Sequence, residues 1–374
     1  MKFADLILVA FLLGCAQICM PQDSSGSNSS WTTSSRQGDS NGTLNPFRTN
    51  ETQTEANGKI IDKKSLETLG PDGRYIPYQE IEKESVRVDA ATVRTIERTF
   101  GRGPDGARTL VQVKEEESRN RGEGENSLER TILNPDANGT LQVVQRELRD
   151  SRQIGPGVEE TKTTVLTPDG NGGLAPAVEV DERQKKSSDG TVEFKKSTQL
   201  SDGAGHWQLA EVREGTSKQE GGQIRSSEEN VLRPDSNGKL TVVERTVRNL
   251  AEPGPGEKRD STDTYSVNVP GIAGDSTLQL VQRETAVSRK AGTGQQTTIE
   301  RTEQLNPGAP DDGLRVTNEA IDIVRPTGGN NSEQSRTILT RGPGGELREV
   351  WVDFSSTDKP SATQADSPTP AKPK

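Results

Sequence analysis

Cysteine is almost missing from this chain of 374 residues: Cys15 and Cys19 are the only two, and both lie near its start. The rest of the chain can hold no disulfide and no cysteine-based zinc site. Histidine occurs once, as His206, so a Ser-His-Asp or Cys-His arrangement would have to use it. It stands between Gly205 and Trp207, where a polar turn residue is the plain reading. Aromatic residues make up 3% and hydrophobic residues 28%, with a mean hydropathy of −0.83. Apolar side chains this sparse exclude one thick globular core and leave disorder as the competing expectation. The one long apolar run, Leu6 to Leu13, is too short to span a bilayer as a helix. Phosphate-loop and dinucleotide-loop signatures are missing. Base is also in deficit, with 47 Lys and Arg against 57 Asp and Glu, a net charge of −10. Without a basic stripe, a nucleic-acid partner is not expected.

What the chain has is a period. Gly73, Gly106, Gly139, Gly172, Gly205 and Gly238 recur every 33 residues. Two close copies are Leu133-Asn-Pro-Asp-Ala-Asn-Gly139-Thr-Leu141-Gln-Val143-Val144 and Leu232-Arg-Pro-Asp-Ser-Asn-Gly238-Lys-Leu240-Thr-Val242-Val243. Looser equivalents follow at Gly274, Gly313 and Gly345, giving about nine units between residues 59 and 354. A fixed period of this size marks a solenoid, a propeller or an array.

Each unit reads as a β-hairpin. Proline presets φ near about −65°, Asp and Asn tolerate left-handed backbone, and glycine takes positive φ without a Cβ clash. The flanking runs mix Val, Leu, Thr, Arg, Glu and Gln with no helical stripe, and alternation puts Leu141 and Val143 on one face and Val144 on the other. Gly155-Pro-Gly157, Gly221-Gly222 and Pro253-Gly-Pro-Gly256 supply a second set of turns. The expected fold is all-β: tandem hairpins of about 33 residues in an extended or curved antiparallel meander or solenoid-like array, with 16 to 18 strands. Interleaved acids and bases should then pair across strands. A closed, propeller-like ring is the alternative.

Residues 1–16 are read as a signal peptide, with Lys2 ahead of the apolar run. Leu12-Leu13-Gly14-Cys15 resembles a bacterial lipobox, which would make Cys15 the lipidated first residue; cleavage after Ala16 is the other route. Residues 17–58 read as a disordered Ser/Thr/Asn/Gly-rich linker, 59–354 as the repeat region and 355–374 as a disordered Pro/Ser/Thr/Lys tail. The expected location is therefore periplasm, cell envelope or extracellular space, with membrane contact only through a lipid anchor at Cys15. An outer-membrane barrel is not expected, because it needs apolar alternation and aromatic girdles.

No catalytic, cofactor-binding or metal-binding residue is singled out. Asp136, Asn138, Asp235 and Asn237 offer oxygen ligands to calcium, yet lack the further and bidentate carboxylates of a calcium loop. Ser201 to Trp207 resembles, in one unit only, the Asp-box turn of sialidase-like propellers. The general look resembles exported bacterial β-repeat proteins. The expected role is a non-catalytic scaffold, stalk or binding surface for an unspecified protein or polysaccharide. The alternative is a carbohydrate-active enzyme, sialidase-like or lyase-like, on a propeller.

Overall fold

The computed structural model describes residues 27–38, 44–56, 58–70, 72–103, 106–221, 223–267, 277–306, 308–309, 312–328, 331–342 and 344–357. Among them there are twenty β-strands and no α-helix, so no helix is long and apolar enough to cross a membrane. The first ten strands are β1 (Ser27–Gly38), β2 (Leu44–Ala56), β3 (Lys59–Leu69), β4 (Tyr75–Arg87), β5 (Thr92–Arg102), β6 (Arg108–Gly122), β7 (Glu125–Pro135), β8 (Leu141–Gly155), β9 (Val158–Pro168) and β10 (Leu174–Lys186). The second ten are β11 (Thr191–Ser201), β12 (Trp207–Glu220), β13 (Gln223–Pro234), β14 (Leu240–Gly254), β15 (Glu257–Ser266), β16 (Gln279–Lys290), β17 (Gln296–Leu305), β18 (Leu314–Gly328), β19 (Asn331–Arg341) and β20 (Leu347–Thr357).

Every strand pairs antiparallel with its neighbours in sequence, so the chain is a single 20-stranded meander of tandem hairpins, as the repeat predicts. Among the described residues, separate four-stranded propeller blades are not formed. Strands β3 to β20 occupy the region read as nine units. A tenth hairpin, β1–β2, falls inside 17–58 and corrects the reading of that segment as a linker. The physical reason is that a strand needs a neighbour's backbone ladder more than apolar side chains, and Thr-rich runs suit a pleated surface. The last strand also meets the first: Trp351–Ser355 of β20 pair with Thr33–Gln37 of β1. This seam is five residues long, against nine to twelve in the other ladders. Beside it the Phe47 and Trp351 rings stack at 6.3 Å, and Tyr78 meets Phe47 edge-on at 6.0 Å.

The turns fall alternately at the two ends of the sheet, and the turns that begin at Ser187 and Ala291 at the second end share the hydrogen-bond pattern of the first. At the first end, Asp136 N–H donates to the Thr140 carbonyl and Gly139 N–H to the Asp136 carbonyl, both at 2.9 Å. The same pattern recurs in the turns that begin at Gly70, Gly103, Asp169 and Asp235. Five residues after each periodic glycine, one residue in each even strand from β4 to β14 is left out of the ladder as a bulge: Tyr78, Val111, Val144, Ala177, Ala210 and Val243, again every 33 residues. Val144 thus breaks the simple alternation instead of continuing it. Each bulge shifts the register of the even strand by one residue against its partner.

At the second end the turns are linked to one another. Asn120, Gln153, Lys186 and Gln219 donate their N–H groups to the carbonyls of Ala91, Gly124, Gly157 and Gly190 in the preceding turn. These hairpins are therefore tied to one another by more than their strand ladders.

The core is thin. Among the described residues, Val113, Val212, Val231 and Ala320 are the buried hydrophobic ones. Apolar rows form near the first end, where Phe100 faces Leu110, Leu133 faces Val143 and Leu232 faces Val242. Elsewhere ion pairs take their place. Arg130 on β7 reaches Glu116 on β6 at 2.9 Å and Glu147 on β8 at 3.0 Å. Such cross-strand pairs contribute roughly 0.2–1 kcal/mol each.

Candidate binding surface

The six periodic glycines lie in the turns of the first end, with φ of +77° at Gly73, +76° at Gly106, +81° at Gly139 and Gly172, +96° at Gly205 and +77° at Gly238. Gly313 and Gly345 are also at positive φ, while Gly274 and Cys15 lie outside the described residues. The turn aspartates have a local task. Oδ1 of Asp136 accepts the N–H groups of Asn138 at 2.8 Å and Thr140 at 2.9 Å, and Oδ1 of Asp235 does the same for Asn237 and Lys239. The bonds from Thr140 and Asn138 hold the Asp136 carboxyl below its usual range. Among the described residues no group of three or more His, Cys, Asp or Glu side chains is arranged to hold a metal.

His206 is exposed, and its Nδ1 lies 2.9 Å from Oδ2 of Asp202 in its own turn. That bond, with backbone donors from Ala204 and His206, lowers the Asp202 pKa. Ser201 Oγ accepts the Gly203 N–H at 3.2 Å. The run from Ser201 to Trp207 thus satisfies its own turn, and its histidine and serine are not brought together as base and nucleophile.

The sheet has two concavities toward the second end, of about 700 and 530 Å³, which adjoin because Arg183 and Lys195 line both. Register explains their chemistry. Residues paired across strands share a face. Arg152 on β8, Glu160 on β9, Arg183 on β10, Lys195 on β11 and Glu214 on β12 form one continuous row. Arg152 bonds Glu160 at 3.1 Å, and Lys195 reaches Glu214 at 3.3 Å. The charges alternate along the row except between Arg183 and Lys195. A second row, Asp150, Lys162, Asp181 and Ser197, runs beside it. Sequence reading missed this surface. Its only trace was the local excess of base in Arg183, Lys185, Lys186, Lys195 and Lys196 within an acidic chain.

No protein-family model matches the chain, and no curated protein does. Among solved structures, it is similar at 7% identity to a bacterial polysaccharide outer membrane secretin, with a TM-score of 0.34 over 88% of this chain and 97% of the other. It is similar at 9% identity to the beta domain of the Bordetella autotransporter BrkA, with a TM-score of 0.14 and the same coverage. Likeness at these scores carries no argument about activity.

Proposed function

We infer that the protein is an exported, non-catalytic β-repeat scaffold whose broad sheet face serves as a binding surface in the cell envelope or outside it. The observation that carries this reading is the uninterrupted meander itself. Its side chains go into ladders, turns and ion pairs, and its concavities are shallow and lined by polar groups spread over several strands. Such a surface suits an extended partner better than a small substrate held for chemistry. Export rests on the N-terminal sequence, where a basic residue precedes an apolar run of signal length.

The test is a sedimentation assay of the full chain with envelope polysaccharide, followed by analysis of the soluble sugars. Co-sedimentation without release of shorter oligosaccharides supports the scaffold. Steady release of cleavage products would overturn it in favour of an enzyme.

A further inference from the structure

We propose that Arg183 and Lys195 form the oxyanion-binding point of a trough for an acidic glycan, one that carries carboxylates at intervals along a hydroxyl-rich chain. This rests on the binding-surface reading and names its ligand. The two residues are register partners on β10 and β11 and share one face. Like charges directly opposite each other destabilise a sheet. Elsewhere such pairs are resolved: Arg102 and Arg108 are also register partners, and both bond Glu80, at 3.0 and 2.6 Å. At Arg183 no carboxylate fulfils that part. Its other cross-strand neighbour, Glu160, is taken by Arg152, and Lys195 has Glu214. Arg183 is exposed and has no ion pair among the described residues. The guanidinium therefore remains available, beside an ammonium, where the two concavities join. A planar fork next to a point charge suits a carboxylate.

The surroundings select the rest of the ligand. Asp150, Asp181 and Glu125 also line the trough, and the whole chain carries a net charge of −10. A polymer with a phosphate at every unit would meet those acids repeatedly. A glycan charged at every second sugar would place its hydroxyls by the carboxylates and by Asn126, Ser197 and Thr216, and its uronate at Arg183.

The experiment is calorimetric titration of the full chain with three probes: a hyaluronan oligosaccharide, a neutral chitin oligosaccharide and a single-stranded oligonucleotide. Arg183→Gln and Lys195→Gln are titrated alongside, each with its thermal midpoint. The expected result is binding of hyaluronan over chitin, weakened about tenfold by Arg183→Gln. The Arg183→Gln midpoint should match or exceed wild type, because a repulsive neighbour is gone. Equal hyaluronan affinity in wild type and both variants would overturn the site. So would tighter binding of the oligonucleotide, which would point to a polyphosphate partner. Binding of chitin alone would also overturn it while leaving the scaffold reading intact, whereas cleavage of any probe would remove the scaffold reading itself.

Discussion

The Lys186 N–H donates to the Gly157 carbonyl at 2.7 Å, tying the end of β10 to the preceding turn of the same sheet end. Gly157 has φ of +68°, and a Cβ there would run into the Lys186 carbonyl oxygen. Gly190 stands in the same relation to Gln219. By contrast Gly139, at φ +81°, has open space where its Cβ would be.

These differences rank the glycines. Gly139→Val and Gly238→Val should each lower stability by about 1 kcal/mol or more, from left-handed backbone alone. Gly157→Ala and Gly190→Ala should cost more than Gly139→Ala, since a collision adds to the strain. Denaturant titration of the series gives the ranking. Unchanged midpoints for Gly139→Val and Gly238→Val would count against the hairpin register.

Gly215 makes a different demand, because its φ is ordinary. It lies opposite Phe194 on β11 and Glu229 on β13. A Cβ would collide with the Glu228 carbonyl oxygen and come within 2.9 Å of the Phe194 ring. Gly215→Ala should therefore destabilise the protein by about 1–3 kcal/mol. Trimming the ring as well, in a Gly215→Ala, Phe194→Leu double variant, should recover part of the loss. No recovery would mean that the backbone contact alone sets the cost.

Acid should act on two groups in opposite directions. Turn N–H donors lower the folded pKa of Asp136, so its contribution is present above the unfolded value of about 3.9 and disappears as pH falls below it. Burial raises the folded pKa of Asp353, whose Oδ1 is without a hydrogen-bond partner. Its ionisation therefore opposes folding at neutral pH, and that penalty fades as pH falls below the raised folded value. Asp353→Asn should raise the thermal midpoint at pH 7 and lose the advantage in acid. Asp136→Asn should lower the midpoint at pH 7 and flatten its decline toward pH 3. Parallel pH curves for wild type and both variants would contradict this assignment.

The ion pairs around Arg130 should couple weakly and respond to salt. A double-mutant cycle of Arg130→Met with Glu116→Gln is expected to give about 0.3–1 kcal/mol. The coupling should shrink in molar sodium chloride, where screening shortens to about 3 Å. A salt-independent coupling would show that Arg130 acts through packing of its stem.

The native N-terminus should lack residues 1 to about 16. Mass spectrometry of protein from its own host should find either a lipid-modified Cys15 or a free Gln17 at the start. A retained Met1 would end both export routes.

The sequence by itself determined the unit. Pro, Asp, Asn and Gly at fixed offsets leave the backbone few choices, so turn, hairpin and all-β class followed from local chemistry. The six periodic glycines needed no tertiary information, because positive φ is a property of the residue and its neighbours. Register was a tertiary matter. The bulge at Val144 arises between two strands, and nothing within Leu141 to Arg146 announces it. The same holds for β1 and β2, whose Ser- and Thr-rich runs become strands through the neighbours that ladder against them. It holds again for Arg183 and Lys195, which are twelve residues apart in sequence and become direct neighbours only once β10 and β11 pair. The chain encoded which residues turn and which extend. The pairing of strands decided which charges meet, because a shift of one residue would send each side chain to the opposite face.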